Sequence, residues 1–358
     1  AEFMAIKEHF GNQALQKWDD KKAVARDPSA LEKYRTMLAE QIQYFKVTQY
    51  FFFKQWTELK NYANQKGIQI IGDMPIYVAA DSVEVWTKPE LFQLDEERNP
   101  LFVAGVPADQ FSATGQLWGN PLYAWEEHKK QGYAWWIHRI EESFKIYDVL
   151  RIDHFKGFSD YWQVDGKAEV AKDGSWQPGP GYDLFKAVKE QLGDLPIIAE
   201  DLGNIDDKAR KLLTDCNYPG MKILQFGFED VSGESLDSPH YCIPHSIVYT
   251  GTHDNDVTNG WYNSLTEQQQ QYINDYTHRH EDESICQAMI RQLFATVSNT
   301  AIATMQDVLD LPASSRMNVP STIGGNWQWR MQQSDLTQDK KDFLAKMTTL
   351  YQRANQEK

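Results

Sequence analysis

Three carboxylates stand where short apolar runs end: Asp153 in RIDHF, Glu200 in IIAEDLG and Asp254 in TGTHDND. A single acid in such a place is most often a helix cap or one half of a surface ion pair. Three of them, each after a predicted strand, indicate a common site, because parallel strands bring their carboxyl ends to one edge. Two acids in different environments are what glycosidic bond chemistry uses: one stays ionised and the other holds a proton for the leaving oxygen.

The residues around two of these acids suggest which state each one takes. Arg151 lies two residues before Asp153, so on a strand both side chains point to the same face, and the guanidinium favours the Asp153 anion. Glu200 follows the apolar run LPIIA, and partial burial near other acids would raise its pKa, as a general acid requires. Metal binding is the alternative use of such acids, but no His or Asp pair has a tight metal-ligand spacing. We therefore predict neither a metal nor another cofactor.

The elements that must position these acids alternate between strand-like and helical patterns, which predicts an α/β fold with a parallel sheet. The strand-like segments begin near Ile68, Tyr147, Leu195, Met221, Ser246 and Ala301. Acids at their carboxyl ends favour a (β/α)8 barrel, and a doubly wound sheet is the competing architecture. One long helix is predicted from Ser29 to Lys66. Residues 79–121, rich in Pro, Gly, Asn and Trp, are predicted to form a long inserted loop with a functional role.

Composition excludes several classes of protein. The chain has 358 residues, 41% of them hydrophobic, and a formal net charge of −15. Without a basic patch suited to phosphates, nucleic acid is not an expected partner. No apolar run reaches membrane-spanning length, so no membrane partner is expected either. Three cysteines without metal-type spacing suit free thiols in a reducing compartment.

These motifs also carry a family resemblance that covers essentially the whole chain. RIDHF, IIAEDLG and TGTHDND, in this order, resemble the α-amylase clan. More narrowly, GVPADQFSATGQLWGNPLY resembles the loop that marks amylomaltases, the 4-α-glucanotransferases of glycoside hydrolase family 77. GDMPIYVA and NVPSTIGGNWQWR resemble further blocks of that family. The resemblance implies a TIM barrel with long inserted loops, no cofactor, and cytoplasmic localisation.

The resemblance also implies a role for each matching residue. Asp153 matches the nucleophile, Glu200 the general acid/base, and Asp254 the third acid, which holds sugar hydroxyls. Arg151 and His253 match groups that surround the reacting sugar, and Asp73 matches the acid in the first conserved block of the clan. The remaining positions that resemble glucan contacts are Trp118, Tyr77, His154, Asn326 and Trp327; plain packing is the competing interpretation for Tyr77, His154, Asn326 and Trp327.

The chain is shorter than the family pattern. We expect residues 1–358 to be the C-terminal three-quarters of a catalytic barrel domain, with the first two strands missing, since six predicted strands fall short of eight. The predicted function is the retaining transfer of α-1,4-glucan segments to an acceptor glucan or glucose, with maltooligosaccharides or starch- and glycogen-derived glucans as substrates. The alternatives are an α-1,4-glucan hydrolase of the amylase clan and an inactive glucan-binding fragment. A phosphate-binding barrel enzyme finds no support, because no Gly-rich anion loop follows a late strand.

Overall fold

The computed structural model describes residues 1–108, 113–203 and 205–354, and within them the chain forms two compact units. The first unit is Ala1–Tyr218 and the second is Pro219–Lys358. Residues 109–112, within the GVPADQFSATGQLWGNPLY motif, lie outside the described part. None of the described helices is both long enough and apolar enough to cross a membrane.

The strands and helices are numbered in chain order. The strands are β1 Ile71–Met74, β2 Phe102–Val106, β3 Gln116–Pro121, β4 Val149–Ile152, β5 Asp160–Asp165, β6 Ser175–Pro178, β7 Ile197–Ala199, β8 Gly220–Ile223, β9 Ser246–Tyr249 and β10 Thr300–Ile302. The helices of the first unit are α1 Glu2–His9, α2 Lys21–Val24, α3 Pro28–Met37, α4 Ala39–Gln65, α5 Val83–Thr87, α6 Trp125–Lys130, α7 Ala134–Ile146, α8 Tyr182–Leu192 and α9 Asp207–Cys216. Those of the second unit are α10 Leu224–Glu229, α11 Thr258–Ser264, α12 Glu267–Thr277, α13 Ile285–Ala295, α14 Met305–Val308 and α15 Gln338–Leu350.

A three-stranded parallel sheet with the order β1-β4-β7 organises the first unit. Its central strand is nearly sealed from solvent: Leu150 and Ile152 of β4 are both 0% exposed. Apolar residues fill this strand because neighbouring elements cover it, as is usual for parallel sheets. The register pairs Asp73 of β1 with Arg151 of β4. The pairing of these strands therefore places Asp73 beside Arg151, and both residues are predicted for the site.

The second unit repeats the arrangement with a parallel sheet of the order β10-β9-β8. All four residues of β9 are buried, and α13 packs beside the sheet with its own apolar face. Both α12 and α13 begin with a capping box, in which a Thr or Ser side chain and a Gln three residues later satisfy each other's backbone N–H groups. These caps fix the residues at which both helices begin.

Two parts of the first unit differ from the sequence prediction. The helix predicted from Ser29 to Lys66 is two helices, α3 and α4, with Leu38 between them at φ −110°. The apolar spacing continues across the break, so periodicity alone does not reveal it. Residues 79–121 are also not one irregular loop: β2 and β3 pair with β5 and β6 in an antiparallel sheet of the order β3-β2-β5-β6. Its strand partners come from after β4, and short-range patterns carry no information about such pairing.

The predicted parallel strands are all present, and the α/β class is confirmed. Their hydrogen bonding differs from that of a closed barrel, however. Within the described residues they form two separate three-stranded sheets, with no pairing between β7 and β8. Each sheet has its successive strands in neighbouring positions and parallel.

Candidate active site

An arginine between two aspartates lies at the carboxyl end of the first parallel sheet. Nη1 of Arg151 donates to Oδ1 of Asp73 at 2.6 Å and to Oδ1 of Asp153 at 2.8 Å. Arg151 is 8% exposed, whereas the carboxylates are each about two-fifths exposed. The expected contact of Arg151 with Asp153 on one strand face is present. The contact with Asp73 is explained by the register of β1 and β4.

The guanidinium keeps its charge in this setting. Burial lowers the pKa of Arg151, but the charges of Asp73 and Asp153 outweigh burial and leave this pKa above its ordinary range. A permanent cation within hydrogen-bond distance favours the ionised form of a carboxylate. Asp153 is also held by its backbone, because its N–H donates to the carbonyl of Met74 at 3.0 Å and so extends the strand pairing by one residue. Asp153 is thus held by both its backbone and its ion pair, and its side chain is accessible.

Glu200 follows β7 directly, and two backbone N–H groups hold its carboxyl group. The N–H of His154 donates to Oε2 at 2.8 Å, and the N–H of Leu202 donates to Oε1 at 2.7 Å. The backbone of Glu200 is fixed as well, since its N–H donates to the carbonyl of Ile152 at 2.9 Å. The side chain therefore has one orientation, set by main-chain groups on two neighbouring strand ends.

Glu200 has the electrostatic environment of a proton donor. Burial and the nearby charge of Asp153 raise the pKa of Glu200 to about 7, against the opposing effects of Arg151 and the two N–H donors. A carboxyl group with this pKa holds its proton through much of the acidic range and can exchange it near neutrality. Asp153, paired with a cation, and Glu200, with a raised pKa, thus have the two different environments that glycosidic chemistry uses.

An aromatic group lies beside these acids. His154 has φ +48°, a left-handed conformation that interrupts the strand alternation, and β4 ends at Ile152. The ring of His154 contacts that of Trp118 edge-on, with the ring centroids 4.9 Å apart. Burial lowers the pKa of His154 to about 4. Trp118 in β3 is 36% exposed, whereas Tyr77 is 7% exposed and stacks on Tyr123. Trp118 therefore has an open ring surface, and Tyr77, whose ring centroid lies 6.3 Å from that of Trp118, is mostly covered.

In the second unit, the loop after β9 carries His253 and Asp254. Oδ1 of Asp254 accepts a hydrogen bond from Nδ2 of Asn318 at 2.7 Å, and Oδ2 lies 3.4 Å from Nε2 of His253. The ring of His253 lies 5.0 Å from that of Trp327, which is 52% exposed. Asn326 supports the loop that carries Trp327, because its Oδ1 accepts from the N–H of Val319. Of these residues, Trp327 presents the larger open surface.

Sequence reasoning missed two residues next to Asp254. Nη2 of Arg316 donates to the backbone carbonyl of Asp254 at 2.6 Å, and Asn318 binds the Asp254 carboxylate. Asn318 begins the NVPSTIGG motif, so the motif itself was a signal. The pairing joins residues about 60 positions apart, and no local pattern indicates such a contact.

The described residues contain one group of potential metal ligands within 4.8 Å of each other, formed by His138, Glu141 and Glu142 on α7. All three are exposed, and Lys145 pairs with Glu142. A cluster of this kind is common on helix surfaces without a metal. None of the acids predicted for the active site belongs to it.

Taken together, a guanidinium-paired aspartate and a protonatable glutamate at adjacent strand ends define an enzyme of the glycoside-processing class. Comparison with known proteins identifies the family. The family model described as 4-alpha-glucanotransferase, glycoside hydrolase family 77, matches residues 1–337. The chain therefore belongs to the 4-alpha-glucanotransferase family, whose members transfer glycosyl units between α-glucans, and the resemblance seen in the motifs is confirmed.

Individual relatives agree with this assignment. The chain is 53% identical over 357 residues to a 4-alpha-glucanotransferase of Streptococcus pneumoniae serotype 4. The match covers 99% of this chain and 70% of the relative. The chain is 42% identical over 355 residues to the 4-alpha-glucanotransferase of Clostridium butyricum, covering 98% of this chain and 72% of the relative. Among solved structures, the amylomaltase from Streptococcus agalactiae in complex with acarbose is similar with a TM-score of 0.97 and 60% identity, covering 99% of this chain and 72% of that one.

Proposed function

We propose that this chain carries the catalytic groups of a retaining 4-α-glucanotransferase, with Asp153 as nucleophile and Glu200 as general acid/base. The observation that carries the proposal is that two carboxyl groups at neighbouring strand ends have different environments. Asp153 is ion-paired with Arg151, and the pKa of Glu200 is raised to about 7. A retaining double displacement needs one group of each kind.

In the first step, Asp153 attacks the anomeric carbon of a bound α-1,4-glucan while Glu200 gives its proton to the departing glycosidic oxygen. The Asp153 carboxylate forms a covalent bond to the sugar, and the shorter glucan leaves as an alcohol. Arg151 remains paired with Asp73 after Asp153 has lost its charge to the ester. The arginine therefore has a partner in both states of the nucleophile.

In the second step, Glu200 is ionised and takes the proton from the 4-hydroxyl of an acceptor glucan. That hydroxyl attacks the anomeric carbon from the face opposite to Asp153, which breaks the ester and restores the α configuration. Glu200 is suited to both directions of transfer, because a pKa near neutrality makes loss and gain of the proton similarly easy.

The other predicted residues have binding roles in this proposal. Asp254 and His253 hold sugar hydroxyls, and Trp118 and Trp327 offer exposed rings on which sugar faces stack. The remaining proposed glucan contacts are Asp73, Tyr77, His154 and Asn326. The similar amylomaltase from Streptococcus agalactiae binds acarbose. For this chain we propose maltooligosaccharides and glucans derived from starch or glycogen as donors and acceptors.

We also propose that each parallel sheet is an arc of a (β/α)8 barrel with long insertions, residues 79–121 among them. Parallel neighbouring strands with acids at their carboxyl ends support this proposal. A cytoplasmic location is proposed from the family and from the thiols of Cys216, Cys242 and Cys286, which are free.

Hydrolysis is the alternative outcome of the same chemistry, because water can replace the sugar hydroxyl in the second step. Incubation of the protein with maltotriose separates the two. Transfer produces glucose together with a ladder of longer maltodextrins, and hydrolysis produces glucose and maltose with no longer chains. Products of the second kind would refute the transferase proposal, and an inactive protein that still binds maltotriose would support a glucan-binding role instead.

A further inference from the structure

The loop that carries Asp254 is tied to a second loop by side chains that have no role in the chemistry described above. Nη2 of Arg316 donates to the carbonyl of Asp254 at 2.6 Å, and Nδ2 of Asn318 donates to the Asp254 carboxylate at 2.7 Å. Arg316 also binds Asn318, since its Nε donates to the Asn318 carbonyl at 2.8 Å. These three residues form a closed set of hydrogen bonds, which we call the Asp254 clamp.

The base of the Asp254 loop is fixed independently of the clamp. Asp307, which is 2% exposed, accepts from the hydroxyl of Thr250 at 2.6 Å and from the N–H of Thr258 at 2.8 Å. These bonds anchor both ends of the loop, just before and just after its polar residues. The clamp is therefore not needed to attach the loop. It acts at the loop's centre, where Asp254 projects.

The clamp distinguishes the two oxygens of the Asp254 carboxylate. Oδ1 accepts from Asn318, while Oδ2 lies on the side of His253, at 3.4 Å from Nε2. A carboxylate oxygen can accept two hydrogen bonds, so Asn318 fixes the plane of the group without saturating it. The Asp254 side chain is 45% exposed, which leaves it open to a ligand hydroxyl.

We propose that Asn318 is a positioning residue for Asp254 and that Arg316 holds Asn318 in place for this task. The proposal rests on the proposed function, in which Asp254 binds sugar hydroxyls of the glucan. A hydroxyl pair on a sugar ring is bound well only when both carboxylate oxygens have the correct orientation. Rotation of the carboxylate by loss of Asn318 weakens that binding in the transition state.

The first test compares Asn318→Ala with Asn259→Ala. Asn259 is the matched control, because its amide also donates to an aspartate of the second unit, Asp310, at 3.1 Å, away from Asp254. We expect Asn318→Ala to lower kcat/KM for maltotriose disproportionation by about 10- to 100-fold, the range for a lost hydrogen bond to a charged group. Asn259→Ala stays near wild type in kcat/KM, and both variants show comparable changes in Tm.

The second test uses Asn318→Asp, which keeps the shape of the side chain and replaces the donor with an acid. Two carboxylates in hydrogen-bond contact share a proton, and that proton restores the bond only when the pH is low enough. His253 and Arg316 are the other titratable or charged groups that contact Asp254. We expect the activity of Asn318→Asp relative to wild type to increase as the pH falls from about 8 to about 5. The activity of Asn318→Ala relative to wild type should not change over the same pH range.

Three outcomes decide the inference. A kcat/KM of Asn318→Ala within about threefold of wild type would overturn it, and so would equal losses in Asn318→Ala and Asn259→Ala. A ratio for Asn318→Asp that does not change with pH would also overturn it. Failure of the proposed function has a different signature, because the wild-type protein itself would then form no maltodextrin ladder.

Discussion

The acids at the two parallel sheets are held in different ways. In the first unit, strand register places Arg151 against Asp73, and backbone N–H groups of His154 and Leu202 orient Glu200. In the second unit, the carboxylate of Asp254 is oriented by the side chain of Asn318, from a loop. In the first unit, main-chain N–H groups therefore orient Glu200, whereas in the second unit a side chain binds the Asp254 carboxylate.

This difference matches the tasks that we propose for the two sets of acids. A nucleophile and a proton donor must be held within a fraction of an ångström of the reacting atoms, and strand ends supply that precision. A group that holds sugar hydroxyls can sit on a loop, which varies more readily than the elements it connects. The comparison suggests that the first unit determines the reaction and that the loops of the second unit tune binding.

The largest expected difference between the two sets of acids appears when each acid becomes an amide. Asp153→Asn removes the nucleophile and should lower kcat for maltotriose disproportionation by about 10⁴-fold or more. Asp254→Asn keeps one oxygen for hydroxyls and should cost about 10²-fold, the scale for one stabilising polar group. Steady-state kinetics on both variants measures the difference. Equal losses would contradict the division of tasks, and activity retained by Asp153→Asn would refute the nucleophile assignment.

A smaller effect is expected from the cation of the first unit. Arg151→Met leaves Asp73 and Asp153 without their shared partner, so the two carboxylates repel each other. We expect a loss of about 10- to 100-fold in kcat and about 1–3 kcal/mol in the free energy of unfolding. Lys208→Met is the matched control, because Lys208 pairs with Asp160 while 74% exposed. Its unfolding free energy should change by less than about 1 kcal/mol. Equal destabilisation by both substitutions would show that the Arg151 pairs contribute no more than a surface pair.

The smallest effect concerns pH and separates Glu200 from the other acids. Because the pKa of Glu200 is raised from 4.5 to about 7 in the folded protein, the folded state binds the proton more tightly than the unfolded state. The stability from this group is fully present below about pH 4.5 and is lost as the pH rises through about 7. The Tm of wild type should therefore fall relative to that of Glu200→Gln between these pH values.

Kinetics supplies the second measurement for Glu200. The proton donor is lost above its pKa, so kcat/KM should fall by about tenfold per pH unit well above pH 7. Two results would contradict a raised pKa at Glu200. One is a Tm profile that runs parallel in wild type and Glu200→Gln, and the other is a kcat/KM that stays flat to pH 9.

Much of the local structure could be predicted from the sequence. Apolar runs located each parallel strand. The break between α3 and α4 was missed, because the apolar spacing is the same on both sides of Leu38. The antiparallel sheet within and beyond residues 79–121 was missed because β2 pairs with β5, which lies more than 50 residues later.

The candidate site shows the same division. The two-residue spacing of Arg151 and Asp153 predicted their contact, because strand geometry alone puts both side chains on one face. The second partner of Arg151, Asp73, depends on strand register, and the N–H of His154 that binds Glu200 depends on a left-handed backbone. Neither can be read from neighbouring residues.

The residue types at the strand ends, the family of the chain and the alternation of strands and helices could all be read from the order of residues along the chain. The fold is needed to show which acid shares a cation, which one is buried enough to keep a proton near neutrality, and that Asn318 donates to Asp254. Charge, burial and hydrogen bonding are set by groups distant in the sequence, and folding alone brings them together.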